Sequence, residues 1–151
     1  MNAKFAIAVV LALVTHSAAA QFFGARDELL EPERAFRISS RALDERNVEV
    51  AFKIAPGYYM YRSRFGFATE AGKPLADVEI PRGKIKEDQF FGKQETFRDL
   101  VRIRAPVSAA DAARGAVSLK VTSQGCADKG VCYMPLEQTV RVTLPESGGR
   151  R

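Results

Sequence analysis

Short runs of alternating apolar and polar residues, separated by turn-forming residues, fill this sequence after its first twenty positions. The clearest run is 47–54, in which Val48, Val50, Phe52 and Ile54 fall on one face. Successive side chains of a strand point to opposite faces, so a period of two predicts a strand with one buried face. Further runs of this kind occupy 57–62, 77–80, 100–104, 117–122 and 139–144.

Strands at this spacing predict an all-β chain, an antiparallel β-sandwich of broadly immunoglobulin-like architecture. Helix-favouring stretches are short, at 108–113 and as a helical turn within 27–34. Neither is long enough to build a layered α/β fold. A chain of 151 residues is expected to form one domain around one core.

The first twenty residues have the pattern of a secretory signal peptide. Lys4 gives a basic start, 5–14 is apolar, and three alanines at 18–20 supply a small-residue cleavage site. The apolar run is too short to span a bilayer. We therefore expect an exported, periplasmic protein without a membrane span. Its expected organisation is a signal peptide at 1–20, one domain at 21–145 and a flexible tail at 146–151.

The shortage of histidine excludes several classes of site. His16 is the only histidine, and it leaves with the predicted leader. The remaining chain has no imidazole for a Ser-His or Cys-His pair, and it lacks the commonest nitrogen ligand of zinc. The C-x-x-C-H motif of c-type haem is missing. A net charge of +5 with interspersed signs does not favour nucleic-acid binding. We expect no metal and no cofactor.

The two cysteines, Cys126 and Cys132, are six positions apart. In an exported protein such a pair predicts an intramolecular disulfide, and Gly125 and Gly130 favour a hairpin between its ends. A disulfide that closes so small a ring contributes only about 2–3 kcal/mol to stability. The bond therefore stabilises the fold only weakly, and the residues alone leave open whether it is structural or redox-active.

Two alternatives to a redox centre follow from the same residues. One is a non-catalytic β-sandwich binding module whose disulfide is structural. The other is a Cu(I) site, because Cys126, Cys132 and Met134, with Met60, would supply soft sulfur ligands.

Three sequence blocks carry a family resemblance. They are Gly57-Tyr-Tyr-Met-Tyr-Arg62, then Glu87-Asp-Gln-Phe-Phe-Gly-Lys93 with Phe97-Arg-Asp99 behind it, and the cysteine segment 121–133. In this order they resemble a tyrosine strand, a cap loop and the active-site segment of the N-terminal periplasmic domain of the disulfide reductase DsbD. The resemblance implies an immunoglobulin-like sandwich and a redox role for the cysteine pair.

The resemblance also implies an activity and partners. The chain would be a thiol–disulfide oxidoreductase module, with the cysteine pair as its only redox group. It would take electrons from a thioredoxin-like donor domain and pass them to periplasmic thioredoxin-fold acceptors similar to the isomerase DsbC and the cytochrome-maturation protein CcmG. We expect the module to be a monomer. Cys132 would form mixed disulfides with partners, and Cys126 would resolve them.

The remaining site residues are implied in the same way. The cap loop would comprise Asp88, Gln89, Phe90, Phe91 and Gly92. In it Phe90 would cover the disulfide until a partner displaces it, and Asp88 would disfavour a nearby thiolate. The residues that flank the cysteines would be Tyr59, Tyr61, Asp128 and Tyr133.

Three departures from the family pattern stand out. Gln89 replaces a frequent second acid, and Met134 replaces a common proline. The sequence also contains neither the membrane-embedded segment nor the thioredoxin-like domain of the family. Either a stand-alone module served by separate proteins or a part of a larger protein is consistent with this.

Overall fold

The computed structural model describes residues 28–146. The predicted signal peptide and nearly all of the predicted tail lie outside these residues, as does the start of the predicted domain 21–145. Within them, eleven strands are joined by short turns and two short helices. In chain order the elements are α1 Pro32–Ala35, β1 Phe36–Ala42, β2 Asn47–Ile54, β3 Tyr58–Tyr61, a 3-10 turn Arg62–Arg64, β4 Gly66–Thr69, β5 Lys84–Asp88, β6 Gly92–Phe97, β7 Leu100–Pro106, α2 Ala109–Arg114, β8 Ala116–Ser123, β9 Gly125–Ala127, β10 Val131–Cys132 and β11 Leu136–Thr143.

The strands form three antiparallel sheets. Their orders are β1-β2-β7, β10-β9-β3-β6-β5 and β11-β8-β4. The prediction of an all-β, immunoglobulin-like antiparallel fold with the disulfide in a hairpin is confirmed. In the part of the chain that the structure describes, no helix has the length and apolar character needed to cross a bilayer.

All three sheets contribute to one hydrophobic core. The face predicted for 47–54 is buried as expected, and β8 buries alternate residues in the same manner. Burying a large apolar side chain stabilises the fold by about 1.5–3 kcal/mol, so such faces supply most of the driving force. Core residues from the three sheets include Val50, Phe52, Ile103, Tyr58, Met60, Phe97, Phe67, Leu119 and Val121.

The predicted strand 77–80 is wrong. Only an isolated bridge between Glu79 and Arg104 forms there. Asp77 adopts a positive φ of 56°, which interrupts the extended backbone, and Pro81 ends the segment. Val78 and Ile80 still pack against the core, but they do so from a loop.

The two predicted helical segments are present. The first is the single turn α1, which begins at Pro32. The second, α2, begins after Ser108, whose side chain accepts a hydrogen bond from the Asp111 backbone N–H, and it ends at Gly115 in the left-handed conformation. The serine cap at the start of α2 and the left-handed glycine at its end are common helix-capping arrangements.

Candidate redox site

The cysteines lie opposite each other on two paired strands. Strands β9 and β10, with the turn 128–130, form what we call the cysteine hairpin. Cys126 pairs with Cys132 in its register, their Cα atoms are 4.0 Å apart, and a disulfide joins them. Gly130 provides the positive φ of 83° that the tight turn requires. Cys126 is fully buried and Cys132 is partly exposed, so the two sulfurs are unequally accessible.

Strand β3 places two tyrosines against the cysteines. Tyr59 lies directly opposite Cys126 in β9, and Tyr61 follows on the same face of β3. The Tyr61 hydroxyl is 3.0 Å from Cys126 Sγ and 3.6 Å from Cys132 Sγ. Because disulfide sulfurs carry no hydrogen, this hydroxyl is the donor. Burial raises the pKa of Tyr61, so the hydroxyl keeps its proton near neutral pH.

Asp88 is a buried carboxylate beside this cluster. Its Oδ2 accepts a 2.6 Å hydrogen bond from the Tyr59 hydroxyl. Its Oδ1 accepts bonds of 2.9 and 3.1 Å from the backbone N–H groups of Phe90 and Phe91. Burial alone would raise the pKa of Asp88, but these hydrogen bonds outweigh it and bring the pKa down to about 2. Asp88 is therefore ionised at neutral pH, and Lys86 Nζ lies 3.6 Å from its Oδ2.

The predicted cap loop is the end of a β-hairpin. We call β5, the turn 89–91 and β6 the cap hairpin, and the turn its tip; Asp88 pairs with Gly92 at the base of the tip. The Phe91 ring meets the Tyr61 ring edge-on at 5.2 Å, while Phe90 and Phe91 remain 44% and 37% exposed. The side chain of Gln89 reaches the cysteine hairpin: if a Cβ were added to Gly130, it would lie 3.0 Å from Gln89 Nε2. The structure thus brings the tip, the tyrosines and the cysteines together.

Two cations that the sequence prediction missed flank Tyr59. Lys86 Nζ and Arg98 Cζ lie 4.6 and 5.3 Å from the centre of its ring. Arg98 also donates two hydrogen bonds, of 2.9 and 2.6 Å, to the carboxylate of Asp128. These bonds lower the pKa of Asp128. Arg98 belongs to the block 97–99 that carried part of the resemblance, but nothing in its local pattern indicates a partner 30 positions away.

Tyr133 lies outside the cysteine cluster although it follows Cys132 in the chain. Its ring packs edge-on against Phe36 at 5.6 Å and stacks on Tyr58 at 6.3 Å. Its hydroxyl donates to the Leu30 carbonyl, and burial raises its pKa to about 12. Of the four predicted flanking residues, Tyr133 is the one whose side chain faces the main core.

The ligand set considered for Cu(I) is not assembled. Met60 alternates with Tyr59 and Tyr61 along β3, so its side chain lies fully buried in the main core. Met134 is exposed. Among residues 28–146 no group of three or more His, Cys, Asp or Glu side chains is placed to hold a metal ion.

A family model described as "Thiol:disulfide interchange protein DsbD, N-terminal" matches residues 26–144. The chain belongs to the DsbD N-terminal domain family. This confirms the resemblance drawn from the three sequence blocks. The family is one of thiol:disulfide interchange proteins, and the chain holds the cysteine pair that such an exchange needs.

Curated DsbD proteins are similar over most of the chain. The thiol:disulfide interchange protein DsbD of Ralstonia nicotianae is 49% identical over 120 residues, which are 78% of this chain and 19% of the relative. The DsbD of Escherichia coli strain K12 is 37% identical over 134 residues, which are 87% of this chain and 23% of the relative. The chain therefore spans about a fifth of the length of these DsbD proteins.

Solved DsbD N-terminal domains share the fold. That of Neisseria meningitidis in the reduced form has a TM-score of 0.64 and 34% identity, with 76% of this chain and 90% of that chain covered. The same domain in a complex with the PilB N-terminal domain has a TM-score of 0.62 and 35% identity, with 76% and 88% covered.

Proposed function

We propose that this chain is a periplasmic thiol–disulfide oxidoreductase module that passes two electrons from a thioredoxin-like donor to thioredoxin-fold acceptors. The observation that carries the proposal is the unequal cysteine pair: Cys126 is fully buried, and Cys132 is partly exposed beside Tyr61, whose ring contacts Phe91 of the cap tip. Family membership supports the exchange chemistry. The neisserial complex of a DsbD N-terminal domain with the PilB N-terminal domain supports a protein partner for this chain.

The proposed exchange has two displacement steps. In the reduced module, the Cys132 thiolate attacks one sulfur of the acceptor's disulfide, forms a mixed disulfide and displaces one acceptor thiolate. The Cys126 thiolate then attacks Cys132 Sγ, which displaces the second acceptor thiolate and re-forms the Cys126–Cys132 bond. The acceptor gains two electrons and two protons, which the two module thiols lose. A donor dithiol reduces the module again by the same steps in reverse.

The exposure of the cysteines supports this division of roles. An attacking thiol must reach a partner's sulfur, whereas a resolving thiol needs to reach only its neighbour. Cys132 is the more accessible, and Cys126 lies opposite it in the register.

The cap tip is proposed to limit exchange with unsuitable thiols. Phe90 is the residue proposed to cover the cysteine pair, and docking of a partner would displace it. The ionised Asp88 adds a second means of control. A fixed negative charge near the cluster disfavours another negative charge on sulfur, so the thiols stay protonated until a partner docks.

Cysteine substitution tests the proposal. We would express Cys126→Ser and Cys132→Ser in the periplasm of a Gram-negative host and isolate mixed disulfides, with the double variant as the control. Cys126→Ser should accumulate partners joined to Cys132, and Cys132→Ser should trap far fewer. Equal trapping would show the assignment of the two roles to be wrong. If nothing is trapped and reduced thioredoxin leaves the wild-type disulfide intact, the bond is structural and the chain is a binding module.

A further inference from the structure

The 3-10 turn after β3 contacts the cap hairpin at three successive residues. It continues directly from Tyr61, and each of its side chains reaches a different residue of the hairpin. Arg62 Nε lies 3.0 Å from Glu95 Oε2, Ser63 Oγ donates a 3.0 Å hydrogen bond to Gln94 Oε1, and the Arg64 guanidinium lies 4.5 Å from the centre of the Phe91 ring. Arg62 also donates to the carbonyls of Ile80 and Pro81, which fixes the turn itself.

Two of these contacts converge on Phe91. Gln94 Nε2 donates a 3.0 Å hydrogen bond to the Phe91 carbonyl, so the bond from Ser63 orients the side chain that holds this backbone group. Arg64 contacts the ring of the same residue, and Tyr61 contacts that ring edge-on. The Phe91 ring therefore lies between a surface cation and the tyrosine whose hydroxyl touches both cysteine sulfurs.

The backbone and the ring of Phe91 are held by different groups. Its amide is bonded to the buried carboxylate of Asp88. Its ring is held on the outer side by Arg64, which is exposed. Exposed contacts break more readily than buried charge-assisted hydrogen bonds, so the ring can move away while the turn stays attached at Asp88.

We propose that Arg64 is a positioning residue that holds the Phe91 ring against Tyr61, and so sets how readily the disulfide is reached. Arg64, Ser63 and Gln94 together form what we call the latch. The inference rests on the proposed function only in treating the cap tip as a cover, and a small reductant tests it without any protein partner.

The assay follows reduction of the oxidised protein by excess tris(2-carboxyethyl)phosphine. The phosphine attacks one sulfur and breaks the disulfide, and hydrolysis of the adduct gives the phosphine oxide and two thiols. Samples are quenched in acid, and their free thiols are then alkylated. Mass spectrometry measures the fraction of protein that carries two alkyl groups, and its rise with time gives a pseudo-first-order rate for each variant. Thermal unfolding of the oxidised variants is recorded in parallel.

Three substitutions separate the charge from simple packing. Arg64→Met keeps the length of the side chain and removes the cation, so reduction should become about two- to fivefold faster, as expected for loss of an exposed cation–π contact. Arg64→Lys keeps a cation and should stay close to wild type. Ser63→Ala should give a smaller acceleration. The matched control is Arg102→Met, since Arg102 is an exposed arginine paired with Glu49 in another sheet, and it should leave the rate unchanged.

A double-mutant cycle with Phe91→Ala completes the test. If Arg64 acts through the Phe91 ring, Arg64→Met should have no further effect in the Phe91→Ala background. The inference is overturned if Arg64→Met is reduced at the wild-type rate or if Arg102→Met accelerates reduction equally. It is also overturned if Arg64→Met has its full effect in the Phe91→Ala background. Should the rates respond as expected while reduced thioredoxin leaves every variant oxidised, the latch stands and the proposed function fails.

Discussion

The Tyr59 hydroxyl donates a 2.6 Å hydrogen bond to Asp88 Oδ2 and thereby connects β3, the strand paired with the cysteine hairpin, to the cap tip. Tyr59 lies opposite Cys126 in the register of β3 and β9. Asp88 ends β5 and accepts hydrogen bonds from the amides of Phe90 and Phe91. One ionised carboxylate therefore fixes the tip to the strand that supports the cysteines, and protonating it weakens both attachments.

Asp88→Asn is expected to remove part of the acid sensitivity of folding. The pKa of Asp88 is about 2 in the folded protein, and an unperturbed aspartate has a pKa of about 3.9. A lowered folded pKa stabilises the fold above the unfolded pKa, and this contribution is lost as the pH falls through the folded pKa. Wild type should therefore lose about 2 kcal/mol of stability from this group between about pH 4 and pH 2. Denaturant unfolding across pH 2–6 measures the difference between the two proteins.

Asp128→Asn is the control for this experiment. The pKa of Asp128 is also lowered, through its hydrogen bonds with Arg98, but both side chains are close to half exposed. Solvent screens such a pair, so its share of the pH dependence should be smaller. Parallel pH profiles for wild type and Asp88→Asn would contradict the ionised, buried state of Asp88.

Tyr61→Phe is expected to slow the reactions of the reduced cysteines without unfolding the protein. The Tyr61 hydroxyl lies 3.6 Å from Sγ of Cys132, the more accessible cysteine, and after reduction it can donate to the Cys132 thiolate and stabilise it. Removing it should slow alkylation of the dithiol at pH 7 by about three- to tenfold, the effect of one hydrogen bond. Tyr58→Phe is the matched control, because the Tyr58 hydroxyl accepts a hydrogen bond from the Leu30 backbone N–H and belongs to the main core. An unchanged or faster alkylation of Tyr61→Phe would rule out this role.

The sequence pattern predicted the strands that bury a regular face and failed where burial is weak or irregular. Strands β2 and β8 alternate clearly because each packs one face on the core. Strand β5 reads Lys-Ile-Lys-Glu-Asp and lies at the edge of its sheet, where Ile85 is 60% exposed, so little apolar periodicity marks it. The segment 77–80 has the composition of a strand, but the positive φ of Asp77 prevents continuous pairing.

The same rule of alternation explains which site residues the structure brings together. Neighbouring residues of a strand point to opposite faces, so Met60 must face away from Tyr59 and Tyr61. Tyr133 directly follows β10, and its side chain packs in the main core, away from Cys132. Lys86 and Arg98 could not be predicted in this way. Their contacts with Tyr59 depend on how three strands lie side by side, and that order is a property of the whole sheet.

Phe90→Ala is expected to speed reduction of the disulfide with little effect on stability. Phe90 is 44% exposed, so the folded state gains little from burying its ring. If it covers the cysteine pair, its removal should accelerate reduction by tris(2-carboxyethyl)phosphine by more than twofold while the melting temperature hardly changes. Ile85→Ala removes an exposed apolar side chain from the same hairpin and should leave the rate unchanged. Equal rates for wild type and Phe90→Ala would assign the covering role to Phe91 alone.

Gly125→Ala should lower the free energy of unfolding more than any substitution at an exposed position. A Cβ at Gly125 would lie 2.5 Å from the backbone oxygen of Tyr59 and 2.5 Å from Phe36 Cζ. The first neighbour is backbone of the paired strand β3, so relief requires β9 to shift away from it. We expect a loss of about 3 kcal/mol, as for overpacking of a tight core. Denaturant unfolding of the oxidised protein measures this loss.

Gly66→Ala is the matched control for Gly125→Ala. Gly66 also lies in a strand that pairs within a sheet, but its added Cβ would meet Thr122 Cβ at 3.5 Å, which is an ordinary contact. Alanine there should be neutral or slightly stabilising, because it reduces the freedom of the unfolded chain. Equal stability of the two variants would mean that β9 can move away from β3 at little cost. The register that sets Cys126 opposite Tyr59 would then be held by the pairing of β3 with β9 and not by close packing at Gly125.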